Sequence, residues 1–130
     1  MILVGQGDVG KSSLVKKLTA GKFKEGEPPT PGIKITDWEC RLAPKRKIAV
    51  HIWDFGGQEM MHATHRFFLT ARSLCLLVLD RRLGEHDLQA DYWLRMIRAY
   101  GGRSAPVIVV LNKQQKEPFD VNRGDPRRRI

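Results

Sequence analysis

The sequence predicts an α/β fold, a doubly wound and largely parallel sheet with helices on both faces, and three observations carry that prediction. Residues 74–79 and 107–111 are continuous apolar runs, as expected of strands covered on both faces in a parallel sheet. Helical spacing separates them, through Leu88, Tyr92, Arg95/Met96 and Ala99. At the start of the chain a short apolar run meets glycines and then a second helical pattern.

The elements follow in order. Ile2, Leu3 and Val4 form a first strand, and Leu14, Val15 and Leu18 mark the apolar face of the helix after the glycine-rich turn. Residues 21–32 carry Pro28, Pro29 and Pro31, which exclude a regular helix or central strand and leave a long loop. Alternation through Ile33, Ile35, Trp38, Cys40 and Leu42, then through Ile48, Val50 and Ile52, predicts an antiparallel hairpin turning at residues 43–46. A helix is expected over residues 59–70, and another from near Asp87 to Gly101-Gly102. No internal repeat or low-complexity linker divides the sequence, so the expectation is a single domain over residues 1–130.

Bulk properties set the bounds. A chain of 130 residues with 42% hydrophobic content can bury a core of its own. No apolar run approaches the roughly 20 residues that cross a bilayer, and no secretory leader is recognisable, so no transmembrane segment is expected and the cytoplasm is the expected compartment. Cys40 and Cys75 lie in different strands without partners at metal spacing, which predicts buried, reduced thiols. The net charge of +9 is concentrated in residues 45–47, 81–82 and 127–129, which read as solvated turns and a tail. Without aromatic interleaving or a nucleic-acid module, DNA and RNA are not expected partners. His62 and His65 complete no zinc pattern and read as helix-surface residues.

The chemistry begins at residues 5–12, Gly-Gln-Gly-Asp-Val-Gly-Lys-Ser, which satisfy the G-x-x-x-x-G-K-[ST] pattern between a strand and a helix. Glycines let backbone N–H groups close around phosphates, and the helix that follows presents its positive end. Gly5, Gly7, Asp8, Val9, Gly10, Lys11, Ser12 and Ser13 are therefore the expected nucleotide-binding set. Lys11 would neutralise the β- and γ-phosphates, and the Ser12 hydroxyl would ligate Mg²⁺.

This loop alone leaves ATPases, nucleotide kinases and GTPases open. The deciding residues come later, in Asp54-Phe55-Gly56-Gly57-Gln58-Glu59. Asp54 ends a β-patterned segment, where its carboxylate could support the metal. Gly57 permits approach of its N–H to a γ-phosphate, and Gln58 is the candidate catalytic residue that orients an attacking water. Thr30, in the proline-flanked loop, offers a hydroxyl to the metal and a backbone N–H to the γ-phosphate. Both interactions disappear when the γ-phosphate leaves, which is the logic of a switch. The expected metal set is thus Ser12, Thr30 and Asp54.

These elements, with Asn112-Lys113 closing the last apolar strand, stand in the order of Ras-like GTPases. Within that superfamily the wording Trp53-Asp54-Phe55-Gly56-Gly57-Gln58-Glu59, then Met61-His62-Ala63 and Phe67-Phe68, resembles the Roc domain of Roco proteins. Tyr92-Trp93-Leu94 and Tyr100-Gly101-Gly102 extend the likeness over nearly the whole chain. The resemblance implies slow, Mg²⁺-dependent GTP hydrolysis to GDP as a signalling switch, a neighbouring COR domain and homodimerisation in the parent protein, and a domain cut short here before its C-terminal strand and helix. It also implies that Asn112 ties the base-side loop to the phosphate loop and that Lys113 flanks the base or the phosphate loop. At the fourth position of that N-K-x-D motif stands Gln115, a neutral acceptor where the family has a charged aspartate. Two alternatives therefore remain open: a catalytically idle nucleotide-binding or dimerisation module, and a P-loop enzyme that also accepts ATP.

Overall fold

The computed structural model describes residues 1–21, 28–56, 68–70, 72–80 and 86–113. Strands β1 (Ile2–Val4), β2 (Ile33–Ala43), β3 (Arg46–Phe55), β4 (Cys75–Leu79) and β5 (Val107–Leu111) form one sheet in the order β2-β3-β1-β4-β5. Helix α1 (Lys11–Ala20) follows β1, and helix α2 (His86–Gly101) connects β4 to β5. β1 pairs in parallel with both β3 and β4, β4 pairs in parallel with β5, and only β2 runs antiparallel. This is the predicted mixed α/β sheet, hairpin included. The helix expected over residues 59–70 falls almost wholly outside the described residues.

Alternation along the strands divides the core into two layers. Ile2, Val4, Phe55, Cys75, Leu77 and Leu79 point to one face and pack against Ala90, Trp93, Leu94 and Ile97 of α2. Leu3, Ile52 and Leu76 point to the other and meet Val15 of α1. The apolar runs of β1 and β4 have no polar face because each of these inner strands is covered twice. Leu69 is buried, and Phe68 stacks at ring-centroid distances of 5.1 Å on Trp53 and 5.5 Å on Phe55.

Trp93 is the largest fully buried side chain. Trp93→Ala should lower unfolding stability by about 3–5 kcal/mol, read from chemical denaturation, because the sheet and α2 close incompletely over so large a void. A loss under about 1 kcal/mol would mean that this layer is not the core.

Cys75 is buried, and burial raises its thiol pKa. Cys40 departs from expectation, since it is only half-buried. It lies on the edge strand β2, where a side chain has a neighbouring strand on one side only. Among the described residues no helix is long and apolar enough to cross a membrane.

Candidate functional site

Four strands run parallel, so their carboxyl ends share one rim of the sheet, and the chemistry-bearing residues collect there. Gly5 follows β1, Asp54 is the penultimate residue of β3, Asp80 follows β4 and Asn112 follows β5. The loop after β1 lies at the centre, because the chain leaves that strand toward β3 on one side and later occupies β4 on the other.

The loop of residues 5–10 leads directly into α1, whose first hydrogen bond runs from Leu14 N–H to the Gly10 carbonyl. Gly5 lies hard against β4: a Cβ added there would sit 2.3 Å from the Val78 carbonyl oxygen. Lys11, buried at 6% exposure, folds back so that Nζ donates to the carbonyls of Gly5 at 2.9 Å and Gln6 at 2.8 Å. Its charge is thereby carried to the centre of the loop. Burial pushes the Lys11 pKa down from 10.5 to about 8, with Asp54 and Asp8 pulling the other way.

That depression has two opposite consequences for pH. The unfolded lysine still holds its proton between about pH 8 and 10.5, so the ligand-free protein gains stability as pH rises through that window. An anionic ligand that needs the ammonium form must instead draw a proton from solvent above about pH 8, so its affinity should fall, by up to about tenfold per pH unit. Calorimetric titration with GDP between pH 7 and 9.5 checks this, and a flat profile would contradict it.

Ser12, Thr30 and Asp54 come from three separate segments and meet. Ser12 Oγ donates to Asp54 Oδ2 at 2.5 Å, and the Thr30 and Ser12 hydroxyls lie 2.5 Å apart. Since the Ser12 proton is engaged, the Thr30 hydroxyl is the donor of that second bond, with a longer 3.4 Å approach to Asp54 Oδ2. Asp54 is 1% exposed, and its other oxygen, Oδ1, is buried with no hydrogen-bond partner among the described residues. Burial raises the Asp54 pKa, against the Ser12 bond, the Lys11 charge, the Thr30 bond and Lys34.

Two hydroxyls and a carboxylate, one of whose oxygens lacks a partner, suit a hard divalent cation that takes its remaining ligands from water and phosphate. Among the described residues no group of three or more His, Cys, Asp and Glu could hold a softer metal instead. Gly56 fixes the Thr30 loop in place. Its N–H donates to the Gly32 carbonyl at 2.8 Å, and a Cβ there would lie 2.4 Å from the Thr30 carbonyl oxygen.

On the other side of the loop, Asn112 Nδ2 donates to the Val9 carbonyl at 2.7 Å. Lys113 Nζ donates to the Asp8 carbonyl at 2.6 Å and to Asp80 Oδ2 at 3.1 Å. Sequence reasoning missed Asp80, although the signal was the one used for Asp54: a carboxylate directly after a continuous apolar strand. Asp80 is 5% exposed and orients Lys113, whose backbone takes a positive φ of 61°. Gly7 and Ser13 lie in the same loop and helix turn, both half-buried. Gly57, Gln58 and Gln115 lie outside the described residues, as do His62 and His65.

The family model for Roc, described as Ras of Complex, Roc, domain of DAPkinase, matches residues 1–115. Among solved structures, Methanosarcina barkeri Roco2 RocCORdC bound to GDP is 49% identical with a TM-score of 0.81, over 95% of this chain and 37% of that one. The probable serine/threonine-protein kinase pats1 of Dictyostelium discoideum is 35% identical over 85% of this chain and 4% of its own length. A Roc-COR-CHAT protease of Runella zeae is 32% identical over 94% of this chain and 15% of its own. The chain therefore spans only a small part of the length of these relatives.

Proposed function

The chain belongs to the Roc family of Ras-like domains, and from that premise we propose that it binds GTP and GDP and hydrolyses GTP, with Mg²⁺, as a slow conformational switch in a longer Roco-type signalling protein. The observation that carries this reading is the meeting of Ser12, Thr30 and Asp54 beside Lys11. The GDP named for the Methanosarcina structure supports the choice of ligand.

Lys11 exchanges its two loop carbonyls for phosphate oxygens, with Gly5, Gly7, Asp8, Val9, Gly10 and Ser13 supplying the enclosing loop and helix end. The Ser12 and Thr30 hydroxyls would hold the cation, and the Asp54 carboxylate would compensate its charge. When bound, the cation neutralises the phosphate oxygens on which charge builds during in-line attack. Gly57 and Gln58 remain the proposed γ-phosphate contact and water-orienting residue, with hydrolysis as the chemistry. Because Thr30 is held by hydroxyl contacts and by Gly56, loss of the γ-phosphate would loosen one side of its loop while the other stays tied. Asn112 and Lys113 form the base side of the site. A COR domain is the proposed neighbour, supported by the RocCOR and Roc-COR-CHAT relatives, with homodimerisation in the parent protein and the cytoplasm as its compartment.

Gln115 favours a second reading, in which the base is read loosely and ATP competes. Titration with GDP, GTP and ATP, with and without Mg²⁺, separates the two: a Mg²⁺-dependent preference for guanine nucleotides supports the first, and equal affinities the second. Single-turnover phosphate release above buffer distinguishes a hydrolase from an idle binding module.

A further inference from the structure

The β2–β3 hairpin projects a tip whose surface the nucleotide site does not use. Arg41, Lys45, Arg46 and Lys47 are all exposed around the turn. Lys47 is paired with Glu39 at 2.6 Å, and Asp37 with His51 at 2.6 Å, so the nearby acidic groups of the hairpin are engaged. Among the described residues Arg41, Lys45 and Arg46 carry no ion pair. Flanking these cations are two large apolar side chains, Leu42 at 54% and Ile48 at 41% exposure. The pairing slips between Arg41 and Ala43, an irregularity that bends the ribbon just before its turn.

From this combination we infer that the hairpin tip is a docking surface for an anionic phospholipid bilayer. Cations at the level of the phosphates, with aliphatic side chains entering the headgroup boundary beside them, are the chemistry that such a surface recognises. Charge complementarity favours it over a neutral bilayer. Single-stranded nucleic acid is disfavoured, since binding there leans on exposed aromatic faces for stacking, and the aromatic ring nearest the tip, Trp38, is packed against the α1-side core. The tip is remote from the nucleotide site: eight residue steps along β3 separate Arg46 from Asp54, roughly 27 Å of extended chain. Docking by the tip thus leaves the rim that carries Lys11 and Asp54 facing away from the bilayer, and the inference stands independently of the nucleotide reading.

The test is co-sedimentation with vesicles of phosphatidylcholine alone and of phosphatidylcholine with about one-third phosphatidylserine, at low and high salt. The chain should pellet with the anionic vesicles at low salt and be released at high salt. The variant carrying Arg41→Gln, Lys45→Gln and Arg46→Gln should partition about a hundredfold less, at about fivefold per basic side chain. Leu42→Ser with Ile48→Ser, which leaves the charge unchanged, should also weaken partitioning. Wild-type circular dichroism and an unchanged unfolding midpoint in both variants show that they are folded. Equal partitioning onto neutral vesicles, wild-type binding by the triple variant, or binding to single-stranded RNA or polyglutamate tighter than to the anionic vesicles at equal charge concentration overturns the inference.

Discussion

Lys11→Ala is expected to weaken GDP binding by about two to four orders of magnitude, since the ammonium supplies two charge-assisted bonds worth about 1.5–3 kcal/mol each. The measurement is isothermal titration of the variant beside wild type. The ligand-free fold should survive, because what is removed is a buried charge whose desolvation already lowers its pKa to about 8. Thermal stability without ligand should therefore stay near the wild-type value or rise. Stabilisation by added GDP, which scales with occupancy, should vanish. Affinity within about threefold of wild type would show that the loop does not grip phosphate through this side chain.

Gly5→Ala should damage the protein more broadly. The position has a φ of 138°, and its missing Cβ would fall 2.3 Å from a backbone oxygen of β4 that has no rotamer by which to move aside. Strain of about 1–3 kcal/mol for the backbone conformation adds to a similar overpacking cost. We expect a total loss of about 2–6 kcal/mol in denaturant unfolding, with nucleotide affinity falling in the fraction that remains folded. A variant with wild-type stability would mean that the loop does not press on the strand as described.

The fold class could be read from the sequence because burial leaves a periodic trace. β1 and β4 lie between two helical layers and so are apolar at every position, while β2 and β3 are exposed in part and alternate. The glycine-rich loop was equally visible, its spacing being a local property of eight consecutive residues. The sequence also named Ser12, Thr30 and Asp54 as one set, but not the contacts through which they meet. That Ser12 and Thr30 would share one oxygen of Asp54 depends on how the proline-containing loop is pinned by Gly56 to Gly32, a backbone contact with no compositional mark. Asp80 escaped notice because a carboxylate after a strand becomes informative only once Lys113 is seen to reach it. The half-exposure of Cys40 follows from strand order, which alternation cannot supply.

The ties from Asn112 to Val9 and from Lys113 to Asp8 join positions 103 and 105 residues apart. A polypeptide emerging from the ribosome therefore makes its glycine-rich segment early but cannot brace it until the fifth strand has been synthesised and has paired. Closing so distant a contact is slow, and the early segment waits unsupported meanwhile. The same two ties make the order of that loop depend on an edge strand, so whatever loosens β5 at one border of the sheet also unbraces the loop at its centre.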